Sequence, residues 1–242
     1  AMQVSWAGVF PAATTQFRPD MSVDIAATQK VQDALVRDGV HGLIIMGTVG
    51  ENNSLEPDEK RDVLRAAVEA VNKRVPILAG VSEFDTKRAC AFARDAEKLG
   101  ADGLMVLPAM VYVPAEAELV AHFRAVSEAT SLPIMLYNNP PAYRVSVSIE
   151  AMRQLADRPN IVCLKESAPD TRRFTDLYNA ISDRYILFAG LDDVALEGLI
   201  LGARGWVSGL TNAFPKESLA LYDAVMRNDL DTARAIYRWF MP

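Results

Sequence analysis

Short, almost unbroken apolar runs alternate along this chain with longer stretches in which apolar residues recur every three or four positions. The runs lie at 8–15, 42–47, 76–81, 103–108, 133–138, 161–167, 185–190 and 205–210. Runs that are apolar at nearly every position fit strands buried on both faces, as in a parallel sheet, rather than strands with one wet face. The longer stretches at 24–38, 57–72, 85–99, 115–130, 148–156, 170–181, 192–201 and 215–226 carry helical periodicity. Gly39, Gly100 and Gly202 stand just after helical stretches, where a left-handed residue ends a helix. Asp24, Asp85 and Asp170 stand where helices should start. Eight strand–helix units in this order predict an α/β fold of the (β/α)₈ TIM-barrel type. An open doubly wound sheet is the alternative that the same alternation permits.

The pattern shows no linker, low-complexity tract or charge block, so residues 2–228 are expected to form one TIM-barrel catalytic domain. One further helical pattern, 229–242, is expected to be the start of a C-terminal helical extension that is largely missing here. Ala1 before Met2 is expected to be a tag remnant.

Composition narrows the function. The chain has 242 residues, half of them hydrophobic (50%) and 23% charged, with a formal net charge of −6. No basic surface dominates, which argues against a nucleic-acid or anionic-membrane partner. No apolar run is long enough to span a bilayer. Cys90 and Cys163 sit inside apolar stretches and suggest no disulfide framework, so a cytoplasmic location is expected.

In a barrel of this kind the active site lies at the C-terminal ends of the strands. The second run ends in Gly47-Thr48-Val49-Gly50-Glu51, the fifth in Tyr137-Asn138-Asn139-Pro140, and the sixth carries Lys165-Glu166-Ser167. The seventh ends in Gly190-Leu191-Asp192-Asp193 and the eighth in Ser208-Gly209-Leu210. Lys165 follows four apolar residues and so falls within or at the end of a buried strand. Burial disfavours an ammonium, and a neutral amine is a nucleophile that condenses with a carbonyl. The bland alternative is a lysine just past the strand, paired with Glu166 or an aspartate. Tyr137 is its natural partner, because a phenol beside an imine-forming lysine can move protons; taken singly, it is also a plausible core tyrosine. Gly47-Thr48-Val49-Gly50 offers a hydroxyl and successive backbone N–H groups suited to a carboxylate, or simply a turn. His41 and His122 lack a second ligand at metal spacing, and no serine elbow, P-loop or dinucleotide fingerprint is present.

Taken together, the strand 2, 5 and 6 motifs resemble those of the dihydrodipicolinate synthase / N-acetylneuraminate lyase family, over nearly the whole chain. The resemblance implies a class I Schiff-base barrel, usually tetrameric, acting on a small 2-oxo or cyclic imino acid without metal or organic cofactor. It implies Lys165 as the imine-forming lysine, Tyr137 as the proton-relaying phenol and Thr48, Val49 and Gly50 as the carboxylate-binding turn. Tyr112, Gly190, Asp192, Ser208 and Gly209 complete the expected substrate-binding set.

Departures from the synthase pattern bear on the substrate. Ala109-Met110 replace its paired tyrosines, with Tyr112 displaced further along. Its arginine after the strand 5 motif gives way to Ala142 and Tyr143, and Val49 replaces its second threonine or serine. These losses argue against lysine biosynthesis. GVFPAATTQF, GTVGEN, YNNPP, FAGLDD and GWVSGLTNAFP together are most similar to the pyrroline-4-hydroxy-2-carboxylate deaminase branch. That implies conversion of 1-pyrroline-4-hydroxy-2-carboxylate to 2,5-dioxopentanoate and ammonia, in hydroxyproline catabolism. Tyr143, Asp192 and Ser208 are the candidates for reading the 4-hydroxyl. The rivals are a 2-oxo acid aldolase or dehydratase on the same lysine, and a non-catalytic metabolite-binding barrel.

Overall fold

Strands β1 (Gly8–Pro11), β2 (Leu43–Ile45), β3 (Ile77–Val81) and β4 (Gly103–Val106) are followed by helices α1 (Ile25–Arg37), α2 (Pro57–Val71), α3 (Thr86–Leu99) and α4 (Glu116–Glu128) respectively. Strand β5 (Ile134–Asn138) leads to the short helices α5 (Pro140–Tyr143) and α6 (Ile149–Gln154). Then come β6 (Ile161–Glu166), α7 (Arg172–Ile181), β7 (Ile186–Ala189), α8 (Ala195–Ile200), β8 (Gly205–Ser208), α9 (Pro215–Met226) and α10 (Leu230–Phe240). The structure is a computed structural model that describes residues 2–242; Ala1 and its expected origin lie outside the described residues.

Every pairing is parallel, in the order β1-β8-β7-β6-β5-β4-β3-β2. Strand β1 pairs with β8 from Gly8↔Gly205 to Pro11↔Ser208. On its other side the chain just past β1 meets β2 through the Ala12↔Ile44 bridge, and the Ala13 amide donates to the Ile44 carbonyl at 2.9 Å. The sheet therefore curls into a nearly closed (β/α)₈ barrel.

Alternation along each strand sorts its side chains into two layers. Phe10, Ile44, Leu78, Met105, Met135, Cys163, Phe188 and Val207, one from each strand, fill the barrel interior. Phe10 and Phe188 meet edge to face there, with centroids 5.2 Å apart. The intervening residues, such as Val9, Leu43, Leu104, Leu136, Leu164 and Trp206, face outward and pack with Leu64, Phe92, Phe123, Phe174 and Leu221 of the helices. Because both faces are covered, the strands read as continuous apolar runs.

The helix boundaries follow the expected chemistry closely. Asp24 and Asp85 cap α1 and α3 by accepting from the Ala27 and Arg88 amides. Asp170 stands one place earlier than a cap and accepts from the Arg172 amide at 3.0 Å. Gly39, Gly100 and Gly202 all have the positive φ of left-handed helix ends, 101°, 95° and 113°. Two features differ from expectation. The stretch 192–201 opens as a single 3₁₀ turn, Asp192–Val194, before α8. Helix α5 lies outside the expected pattern: Asn139 caps it, Pro140 and Pro141 fix its first turn without needing an N–H partner there, and Arg144 ends it at φ 57°.

Candidate active site

The pairing of β5 with β6 brings Tyr137 and Lys165 together. It begins at Ile134↔Ile161 but resumes at Met135↔Cys163, so β6 carries one extra residue at Val162. That bulge shifts the register and sets Tyr137 opposite Lys165. Unbulged pairing would put Leu164 opposite Tyr137. Met135 and Cys163 lie in the interior layer, so Tyr137 and Lys165, two residues further on, point into the barrel at its C-terminal mouth. Both are buried, and the Lys165 Nζ lies 3.7 Å from the Tyr137 ring centroid.

Burial alone pushes the Tyr137 phenol up. The Lys165 ammonium, with hydrogen bonds from Asn139, Lys165 and Ser167, outweighs burial and holds the phenol below its ordinary value. The Asn139 contact is direct: its Nδ2 donates to the Tyr137 hydroxyl at 3.0 Å. Ser167, fully buried, completes the neighbourhood beside Gly190, where a Cβ would overlap the Ser167 Oγ and stand 3.0 Å from the Lys165 Cγ. Glycine at 190 therefore leaves room for the lysine stem.

Glu166 is not the partner of Lys165. Alternation turns it to the opposite face, where its carboxylate accepts from Asn138 Nδ2 at 2.7 Å, the Ala168 amide at 3.0 Å and Arg173 Nε at 2.5 Å. Burial pushes its carboxyl up, against the opposing pull of Arg173. Arg173 also donates to the Val147 carbonyl, and Asn138 Oδ1 accepts from the Val147 amide at 2.8 Å. This network ties β5, β6 and α7 together and so fixes the strands that carry Tyr137 and Lys165.

Thr48, Val49 and Gly50 stand across the mouth on the turn after β2. Asn52, fully buried, braces that turn by donating to the Met46 carbonyl at 2.8 Å and the Gly80 carbonyl at 3.1 Å. The turn's backbone hydrogen bonds run from the Glu51 and Asn52 amides to the Thr48 and Gly47 carbonyls. Among the described residues they do not use the amides of Thr48, Val49 and Gly50. Gly50 is needed for space as well, since a Cβ would stand 2.9 Å from the Ala13 carbonyl oxygen. Tyr143, at the end of α5, reaches over the mouth to this turn. Its hydroxyl and the Thr48 Oγ1 are 2.5 Å apart, and its ring meets that of Tyr137 edge to face with centroids 5.5 Å apart.

The remaining expected residues are placed differently. Asp192 accepts from the buried Trp206 indole and the Leu210 amide, both at 3.0 Å, so its two oxygens are engaged within the fold. Ser208 is fully buried and accepts from the Thr211 amide at 3.1 Å. Gly209 lies between them and Val49, where a Cβ would meet the Val49 Cγ2 at 3.6 Å. Tyr112 is 85% exposed and is not brought beside Lys165. His122 is buried, donating from Nε2 to the Leu107 carbonyl at 3.0 Å, and His41 accepts from the Val9 amide at 2.9 Å. Both histidines are structural. Sequence reasoning missed Asn139 and Arg173. A strand-end asparagine and a helix-surface arginine carry no distinguishing signal until the fold brings them to Tyr137 and Glu166.

Among the described residues no helix is long and apolar enough to cross a membrane, and no cluster of three or more His, Cys, Asp or Glu side chains has metal-binding geometry.

The sequence model of the Dihydrodipicolinate synthetase family matches residues 5–242. A 4-hydroxy-tetrahydrodipicolinate synthase of Desulforamulus reducens is 35% identical over 240 residues, which cover 99% of this chain and 81% of that protein. One from Acidothermus cellulolyticus is 36% identical over 234 residues, covering 97% and 75% respectively. Among solved structures, dihydrodipicolinate synthase from Aquifex aeolicus matches with a TM-score of 0.93 at 29% identity, over 97% of this chain and 80% of that one. Enzymes of this family hold the substrate as a covalent Schiff base on a lysine and use no metal cofactor.

Proposed function

Since the chain belongs to the dihydrodipicolinate synthetase family, whose members are Schiff-base lyases, we propose that it is a class I deaminase of a cyclic imino acid, with Lys165 as its imine-forming residue. The observation that carries the lysine chemistry is the buried pair, Lys165 Nζ 3.7 Å from the Tyr137 ring. Support for the deaminase branch comes from the pocket wall after β5. Ala142 and Tyr143 set a hydroxyl over the mouth, which suits a substrate with one carboxylate and one hydroxyl.

In this reading the substrate is 1-pyrroline-4-hydroxy-2-carboxylate, its carboxylate held by the Thr48–Gly50 turn. The Lys165 amine attacks C2, and ring opening leaves the substrate's nitrogen on C5. The iminium acts as an electron sink for the C3–H bond, and Tyr137, whose ionised form its surroundings favour, takes that proton. The C4 hydroxyl then leaves as water. Tautomerisation gives an imine at C5, whose hydrolysis releases ammonia, and hydrolysis at Lys165 releases 2,5-dioxopentanoate. The protein works in the cytoplasm as a homo-oligomer, a tetramer by family resemblance.

Ammonia release on adding 1-pyrroline-4-hydroxy-2-carboxylate tests the reading, with Lys165→Ala as the control. Release that vanishes in the variant supports it. The names of the relatives favour a second reading, an aldol-type reaction of a 2-oxo acid on the same lysine. Pyruvate formation or consumption without ammonia would select that alternative.

A further inference from the structure

Water loss at C4 needs a proton donor for the departing oxygen, and the mechanism above names none. We propose that Tyr143 is the general acid that protonates the departing 4-hydroxyl. The proposal rests on the deaminase reading above and assigns the step that reading leaves without a residue.

Tyr143 is built into the mouth. The cap on α5 presents it, because Asn139 Oδ1 accepts from the Ala142 amide at 3.2 Å while Asn139 Nδ2 holds the Tyr137 hydroxyl. One asparagine therefore positions both phenols. The Tyr143 ring stands at 85° to that of Tyr137, and its hydroxyl touches Thr48 at 2.5 Å. A substrate tethered at C2 to Lys165, with its carboxylate on the Thr48–Gly50 turn, runs its C3–C4 segment past these two hydroxyls. The surroundings divide their roles. Tyr137 is held down by Lys165, whereas Tyr143 is pushed well above the ordinary phenol value, first by burial and then by the neighbouring charge of Tyr137. Two like groups driven apart in this way separate into a base and an acid.

The step balances without an outside reagent. Tyr137 phenolate takes the C3 proton, and the C3–H electrons become the C2=C3 bond of an enamine on the Lys165 nitrogen. The nitrogen lone pair then re-forms C2=N, the C2=C3 pair moves to C3=C4, and the C4–O bond breaks. The Tyr143 proton passes to the leaving oxygen, giving water. Tyr143 regains a proton through the hydroxyl of Thr48, an exposed residue hydrogen-bonded to it.

Tyr143→Phe separates this role from its rivals. The expected result is a loss of ammonia release of about 10²–10⁴-fold in kcat, with KM within about threefold. Deuterium exchange into the pyruvate methyl group in D₂O, which needs only Lys165 and Tyr137, should slow by less than about tenfold. The 4-chloro analogue, whose chloride leaves without a proton, should restore turnover by Tyr143→Phe to within about threefold of the unmutated enzyme. Wild-type ammonia release in the variant, an equal fall in exchange and release, or no rescue by the chloro analogue would each overturn the assignment. If the unmutated enzyme exchanges pyruvate protons yet releases no ammonia, the deaminase reading fails and takes this proposal with it.

Discussion

On the β7–β8 side of the mouth, Asp192 gives one oxygen to the buried Trp206 indole and the other to the Leu210 amide, and Ser208 accepts from Thr211. On the β5–β6 side, the Lys165 amine lies over the Tyr137 ring, and the hydroxyls of Tyr137, Tyr143 and Thr48 line the approach. Both sides present polar residues at strand ends, and in sequence they look equally suited to chemistry. The difference is where their hydrogen bonds go. The Asp192 oxygens satisfy donors that would otherwise be left unpaired in the fold, which is a stability role. Around Lys165 the structural load is carried by Glu166, Arg173 and Asn138 on the opposite face of the same strands. That leaves the inward-facing residues available for a substrate.

This contrast is open to direct attack. The largest effect is expected at Tyr137. Tyr137→Phe should cut turnover by about 10²–10⁴-fold while an adduct with a 2-oxo acid still accumulates on the protein. A normal rate would remove Tyr137 from the chemistry. Asp192→Ala is the matching test on the other side. It should destabilise the fold by about 1–3 kcal/mol for each donor left buried and unpaired, read by thermal or denaturant unfolding. The kcat of its folded fraction should stay within about threefold of the unmutated enzyme. Full stability with lost turnover would reverse the roles of the two sides.

Asn139→Asp is the subtlest probe. It keeps an oxygen to cap α5 but exchanges a donor to the Tyr137 phenol for a negative charge. Both changes disfavour the phenolate and raise the phenol's pKa. If ionised Tyr137 is the base, activity rises with pH through its pKa. The rising limb of kcat/KM should therefore sit below the ordinary phenol value of about 10, as Tyr137 is held down by Lys165 and Asn139. In Asn139→Asp that limb should move to higher pH. A limb that stays in place would detach Asn139 from the proton chemistry.

The barrel was legible because its strands are buried on both faces, so each is written as an apolar run with a polar end. Lys165 was legible because a cation inside such a run contradicts its surroundings. Other features depend on space rather than order. Val162 is one more apolar residue in the sequence, yet it is the bulge that puts Lys165 opposite Tyr137. The commitment of Asp192 to Trp206 and Leu210 becomes visible only when β7 and β8 lie side by side. Helix α5 is too short for periodicity to show, and its consequence, a tyrosine reaching from the β5 side to the β2 turn, needs the closed barrel.

The most direct test of the account is borohydride trapping. The protein is incubated with pyruvate, reduced with sodium borohydride, digested and analysed by mass spectrometry. The account predicts a pyruvate-derived mass addition on the peptide containing Lys165, dependent on both reagents and absent from Lys165→Ala. No addition to the folded protein, or an addition that survives in Lys165→Ala, would contradict it.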